Sequence, residues 1–164
     1  MASAAWLGPL YEQFREELFL TAWTTLRRRE QAEDAVHAAV VKLAALPTPP
    51  DDAKLYLFRC VRNAAIDLLR AQARRAETGL AHDDWFPAPD AAAPGAFDEE
   101  TLASVRALVE TLDARSRETI ELRLHANLTF REIADLLNEP LPTVASRYRR
   151  ALERLGERLQ APHE

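Results

Sequence analysis

The sequence predicts an all-α protein of two small helical domains joined by an acidic Pro/Ala-rich linker, the second domain containing a helix-turn-helix. Three observations lead there. Alanine and leucine supply 30 and 24 of the 164 residues, while valine and isoleucine together supply 10 and glycine 4. That mixture favours helix over sheet. Apolar residues recur at three- and four-residue spacing on both sides of the middle, the pattern of helices with one buried face. Between them, residues 77–100 carry seven acidic and no basic side chains, with Pro87, Pro89, Pro94, Gly79, Gly95 and the run Ala91-Ala92-Ala93. Such a segment interrupts helix and extends by self-repulsion. The predicted domains are therefore 1–76 and 101–164, with 77–100 as the linker.

The first helix is expected over about 9–28, where Leu10, Phe14 and Leu18 share a face with Tyr11 and Ala22. Arg27, Arg28 and Arg29 fall in its predicted last turn, where cations suit the helix dipole. A second helix covers about 30–46, with Ala32, Val36, Val40 and Leu43 on one stripe, and stops at Pro47-Thr48-Pro49-Pro50. Helix cannot continue through prolines so placed. The third runs from near Asp51 to about Ala76 and is expected to bury Leu57, Val61, Ala64 and Leu68 with Phe58, Ala65 and Leu69. Its other face carries Arg59, Arg62, Asn63, Arg70 and Arg74.

In the second half, Leu102, Val105, Leu108, Val109 and Leu112 make one amphipathic helix; Ile120, Leu122 and Leu124 anchor a shorter one after Asp113, ending near His125. Thr129 followed three residues later by Glu132 is a capping box, and Leu128 can staple against Ile133. That helix lasts to about Leu137, because Asn138 is a suitable left-handed stop and Pro140 and Pro142 follow. A final helix is expected from Thr143 to about Leu159, with Val144, Tyr148, Leu152 and Leu155 inward. A short helix, a tight turn and a longer helix make the helix-turn-helix plan, whose second helix enters the DNA major groove. From Thr143 to Leu152 that helix carries Arg147, Arg149 and Arg150 and no acid, with Glu153 and Glu157 only farther on. Guanidinium forks match phosphate oxygens and the acceptor edge of guanine. The plain alternative is a helical hairpin with a basic solvated face; the cap, the turn and the acid-free window favour DNA.

Charge bounds the function classes only when it is located. The net charge of −5 comes from the linker, since 1–76 carries eleven basic against nine acidic residues and 101–164 ten of each. Neither domain is therefore excluded from nucleic acid. The lone Cys60 can form no internal disulfide or cysteine-based zinc site, and reads as a small core residue. His37, His82, His125 and His163 are far apart, and neither a phosphate-binding glycine loop nor a nucleophile motif is present. No enzymatic activity, cofactor, metal or small-molecule substrate is expected. No apolar run approaches the roughly 20 residues of a membrane span, so a cytoplasmic protein without membrane insertion is expected.

The segments Leu112-Asp-Ala-Arg-Ser-Arg-Glu, Leu128-Thr-Phe-Arg-Glu-Ile-Ala-Asp-Leu-Leu and Thr143-Val-Ala-Ser-Arg-Tyr-Arg-Arg-Ala together resemble the promoter-binding C-terminal region of bacterial sigma factors of the extracytoplasmic-function group. In the first half, Ala32-Glu-Asp-Ala-Val-His resembles that family's polymerase-docking segment, and Phe58-Arg-Cys-Val-Arg-Asn-Ala-Ala-Ile-Asp-Leu-Leu-Arg its segment facing the minus-ten element. The resemblance covers about 140 residues in order. It implies a factor that binds core RNA polymerase and directs initiation at promoter DNA, with an anti-sigma factor as a candidate partner. Glu33, Asp34 and His37 are then expected on the polymerase-binding surface. Tyr56, Arg59, Arg62, Asn63, Asp67 and Arg70 are expected near the separated minus-ten strands, where arginines grip phosphate, aromatics stack and asparagine can read a base edge. Thr143, Ser146, Arg149 and Arg150 fall at the minus-thirty-five element, and Arg147 either joins them through a phosphate or forms an intramolecular ion pair. The sequence departs from the family at His37-Ala38, usually glutamine then glutamate, at Val40, usually phenylalanine, at Tyr56, where tryptophan is common, and at Pro140-Leu141-Pro142.

Two other readings stay open: a sigma-like adaptor that does not open promoters, and a helix-turn-helix regulator. For the linker, the resemblance implies a path through the polymerase channel; its acids can also mask the basic faces of the free protein, or merely tether the domains.

Overall fold

A computed structural model describes residues 4–77, 104 and 107–160. Within these residues the regular structure is helical, a short 3-10 turn at Ala4–Trp6 followed by six α-helices, and the chain divides into two units, Met1–Asp90 and Ala91–Glu164. The linker beyond Glu77 lies outside the described residues, as do Leu102 and Val105.

The first unit packs α1 (Leu7–Leu26), α2 (Arg29–Ala44) and α3 (Ala53–Glu77) against one another. Its centre is Leu18, Ala22, Leu43, Leu57, Phe58, Val61 and Ala65, all fully buried. Alanines at 22, 32, 35, 39 and 65 face inward, so the helix ridges can approach closely. Phe58 closes the centre, meeting the Phe14 ring edge-on with centroids 6.1 Å apart. Asp52 starts α3, its carboxylate accepting the Leu55 N–H at 2.9 Å.

Three expectations change here. The arginine triplet does not end α1: the helix stops at Leu26, Arg27 turns left-handed at φ 57°, and Arg29 is already the first residue of α2. The reversal follows directly on Leu26, the last buried residue of α1, and the Arg27 N–H closes it on the Trp23 carbonyl at 2.7 Å. The second helix stops at Ala44, two residues short of the expected end. Leu69 is 44% exposed rather than part of the core, since Val61 and Ala65 already carry the buried line of α3. Cys60 is buried as expected, and burial pushes its thiol above the ordinary cysteine value against the weaker opposing pull of Lys42, Arg59 and a Tyr56 hydrogen bond.

The second unit contains α4 (Ala114–Leu124), α5 (Phe130–Leu137) and α6 (Leu141–Gln160), preceded by a helical turn at 107–110. Leu112, Ile120 and Ala151 form a buried cluster with Tyr148 and Leu155 against it; Leu128, Ile133 and Val144 are fully buried. Leu124 and Leu152, expected inward, are exposed at 57% and 42%. Ala151 takes the inner position, because it lies closer than Leu152 to the line through Val144, Tyr148 and Leu155. Helix α6 begins at Leu141, two residues before the expected start. Pro142 is accommodated in the first turn, where its missing N–H has no intrahelical acceptor to serve, and the Pro140 carbonyl accepts from Thr143 and Val144 at 3.0 and 3.2 Å.

Candidate nucleic-acid interface

Each short helix of the second unit is fixed at its ends by its own sequence. Asp113 caps α4 by accepting the Ser116 N–H at 3.1 Å. Hydrogen bonds from the Ser116 side chain and backbone, helped by the charge of Arg154, hold the Asp113 carboxyl below the usual carboxylate range. The capping box of α5 is complete: Thr129 Oγ1 accepts the Glu132 N–H at 3.2 Å, and the Glu132 carboxylate accepts the Thr129 N–H at 2.8 Å. At the other end Asn138 is left-handed, φ 54° and ψ 49°, as its position suggests. His125 follows the last residue of α4 as expected.

These ends set how α6 is presented. Val144 and Ala151 face inward, and the Tyr148 ring meets Phe130 edge-on at 5.1 Å. Arg123 lies over the Phe130 ring, its guanidinium 5.3 Å from the centroid and donating to the Leu128 carbonyl at 3.2 Å. With about 3.6 residues per turn, Ser146, Arg149 and Arg150 lie on the opposite, outward face. Arg149, Arg150 and Thr143 are exposed and Ser146 is half-buried. Arg147 is different: it flanks the core, with 16% of its side chain exposed, and pairs with Glu139 at 2.5 Å. The structure therefore brings Ser146, Arg149 and Arg150 together and draws Arg147 aside.

In the first unit, Tyr56, Arg59, Asn63, Asp67 and Arg70 follow at three- and four-residue steps down one face of α3, with Arg62 beside them. Arg59, Asn63, Asp67 and Arg70 are exposed; Tyr56 and Arg62 are half-buried. On α2, Glu33, Asp34 and His37 are exposed, while Ala32, Ala35, Val36 and Ala39 turn inward. Glu33 and His37 share the rim of a groove of about 380 Å³ lined also by Tyr11, Arg15, Phe19, Val36 and Val40; Asp34 is not part of that lining. Glu33 also pairs with Arg29 at 3.5 Å.

Sequence reasoning missed Glu139 and Thr119, which contact the Arg147 guanidinium, and Arg115, which pairs with Glu139. Only the left-handed Asn138 hinted that the next residue would be held in place. Among the described residues no helix is long and apolar enough to cross a membrane, and no three His, Cys, Asp or Glu side chains gather as metal ligands.

Comparison with known proteins gives two family matches in order: sigma-70 region 2 over residues 10–75 and sigma-70 region 4 over residues 108–157. No curated protein matches the chain. Several solved structures share its fold, two of which illustrate the match. One is the sigma factor RpoE in complex with the anti-sigma factor NepR from Bartonella quintana, with a TM-score of 0.68, 23% identity, and coverage of 93% of this chain and 96% of that one. The other is CnrH in complex with the cytosolic domain of CnrY, with a TM-score of 0.63, 24% identity, and coverage of 96% and 89%.

Proposed function

The chain belongs to the sigma-70 family, and on that premise we propose that it is a sigma factor of the extracytoplasmic-function kind that directs promoter recognition, its surfaces dividing the work. Residues 1–76 hold core polymerase and the minus-ten element, residues 101–164 hold the minus-thirty-five element, and 77–100 joins them. The outer face of α6 supports the upstream role most directly: Ser146, Arg149 and Arg150 project together from a helix whose inner face is occupied by Val144, Ala151 and Tyr148. Arginine forks there can hold a guanine edge, each such contact contributing about 1–3 kcal/mol of discrimination. Thr143, in the first turn, suits a backbone phosphate.

The α3 face joins exposed cations with Tyr56 and Asn63, the combination that holds separated strands by phosphate contact, stacking and base-edge hydrogen bonds. Glu33, Asp34 and His37 present carboxylates and an imidazole on α2, complementary to a basic partner surface. That supports polymerase docking at this face. These two neighbours of like fold are each in complex with another protein, in one case an anti-sigma factor, and an anti-sigma factor is the corresponding partner proposed for this chain.

Transcription with core polymerase on a randomised promoter library tests the assignment. The wild type is expected to select a two-element promoter; Glu33→Lys with Asp34→Lys abolishes output by loss of core binding, and Arg149→Ala with Arg150→Ala removes the upstream consensus while core binding persists. Core binding without promoter-dependent transcripts points to the adaptor reading instead.

A further inference from the structure

Glu139 sits in the turn between α5 and α6. Its backbone is fixed by the turn itself: the Glu139 N–H donates to the Ala134 carbonyl at 2.9 Å and the Asn138 N–H to the Asp135 carbonyl at 3.4 Å. These are the paired bonds of a Schellman stop. Pro140 then fixes the next φ and opens α6. From this rigid position Glu139 Oε2 lies 2.5 Å from Arg147 Nη1, and Oε1 lies 3.9 Å from Arg115 Nε. Arg147 Nη1 also donates to Thr119 Oγ1 at 3.5 Å, and the fully buried Thr119 hydroxyl donates to the Arg115 carbonyl at 2.8 Å. Two side chains thus tie α4, the turn and α6 at one point.

We infer that Arg147 and Glu139 are positioning residues that set the rotation of α6 about its axis, and with it the aim of Ser146, Arg149 and Arg150. This rests on the reading of α6 as the upstream-element helix. The buried residues of α6 are a valine and an alanine, with Tyr148 and Leu155 only partly buried beside them, a packing that fixes rotation less sharply than a planar guanidinium held between a carboxylate and a hydroxyl. A small rotation at the helix axis displaces the tip of an outward arginine enough to spoil a two-bond contact with a base. The pair is also shielded. Its side chains are 16% and 20% exposed, against 68% and 56% for the surface pair Arg29 and Glu33, so salt screens it less. For Arg147 to reach a phosphate instead, it must give up Glu139, leaving that carboxylate the more distant Arg115.

The sign of one effect separates the two roles. Removing an acid from a DNA-binding unit ordinarily tightens binding; a positioning role for Glu139 makes its removal loosen binding. The probe is a fluorescent duplex recovered from a randomised pool by the full-length wild type, with affinity read across salt and across single-base substitutions. Glu139→Gln and Arg147→Gln are each expected to weaken binding about five- to tenfold and flatten base preference, with the slope of log K against log salt unchanged because no phosphate contact is lost. Glu139→Arg combined with Arg147→Glu should recover part of both losses.

Arg147→Lys guards against misfolding as the cause. It keeps the charge but not the fork, so base preference stays flat although thermal melting of the unit stays near wild type. Three results overturn the inference: a slope shallower by about 0.9 in Arg147→Gln, full restoration by Arg147→Lys, or Glu139→Gln binding as tightly as wild type. Arg149→Ala with Arg150→Ala checks the underlying reading separately. Wild-type affinity and preference in that variant remove α6 as the reader, whereas loss there with a neutral Glu139→Gln removes only the positioning role.

Discussion

In the first unit α1 and α2 begin at Trp6 and Arg28 with no side chain accepting their first free N–H groups, whereas in the second α4 begins at Asp113 and α5 at Thr129 and both side chains do so. The lengths explain the contrast. Helices of 20 and 16 residues offset their unsatisfied end groups with several packed turns, and α4 and α5, of 11 and 8 residues, cannot; the 25-residue α3 is capped as well, by Asp52. The first unit is therefore stabilised mainly by apolar burial and the second more by polar groups at helix ends. A charged residue consequently means different things in the two. On α2 and α3, Glu33, Asp34, Asp67 and Arg70 are exposed, as an interface requires; in the second unit Asp113, Glu132, Arg123, Glu139 and Arg147 serve the fold itself.

The largest test of this contrast is Phe58→Ala. Phe58 is fully buried and packs on Phe14, so its loss should cost about 3–5 kcal/mol. Thermal unfolding followed by NMR amide signals should show the first unit melting early while signals from α4, α5 and α6 keep their midpoint. Loss of both sets together breaks the picture of two separately stabilised units.

Next in size is the cap of α4. Asp113→Ala should destabilise the second unit by about 1 kcal/mol at neutral pH. Because hydrogen bonds from Ser116, with the charge of Arg154, hold the folded carboxyl below its ordinary value, the charged form is the stabilising one. That contribution is fully present above the unfolded carboxylate value of about 3.9 and lost as pH falls through the lower folded one. The melting gap between wild type and variant should stay constant from neutral pH to about pH 5 and close toward pH 2. A gap that persists in acid assigns the effect to something other than the ionised cap.

Which parts of this were legible in the sequence depends on the distance over which the cause acts. The helical class, the Thr129 and Glu132 box and the Asn138 stop come from residues within one turn of each other, and spacing alone shows them. Periodicity also places Arg59, Asn63 and Arg70 on one face of α3. It gives the phase of a face less well: Leu69, Leu124 and Leu152 keep helical spacing with core residues yet lie outside, because the neighbouring elements decide which side is covered. The helix dipole favours Arg27 in a last turn, and the immediate chain reversal after Leu26 prevails over it. The Glu139, Arg147 and Thr119 bracket spans separations of eight and 28 residues, so it exists only after three helices have crossed. The groove shared by Glu33, His37, Tyr11 and Phe19 is invisible for the same reason.

The smallest stability effect belongs to the first unit's exposed charges, and it sharpens the comparison most. Arg29 and Glu33 pair at 3.5 Å with side chains 68% and 56% exposed. Such a pair, at i and i+4 on a helix, contributes about 0.3–0.5 kcal/mol and less in salt. Arg29 in addition lies 5.6 Å from the Phe19 ring centroid, so the two partners should be changed separately. Glu33→Gln is expected to shift the first unit's melting midpoint by no more than about 2–4 °C, since the cost is under about 0.5 kcal/mol, yet to weaken capture by core polymerase if the carboxylate meets a basic partner. Arg29→Gln loses the same ion pair, removes a like charge from a surface meant for cations, and should leave capture unchanged or stronger. Equal loss of capture in both variants assigns the effect to the broken pair and the local helix rather than to a contact made by Glu33. Opposite directions at matched stability establish Glu33 as part of the docking surface, and they show that α2, unlike α4 and α5, carries its charges for a partner.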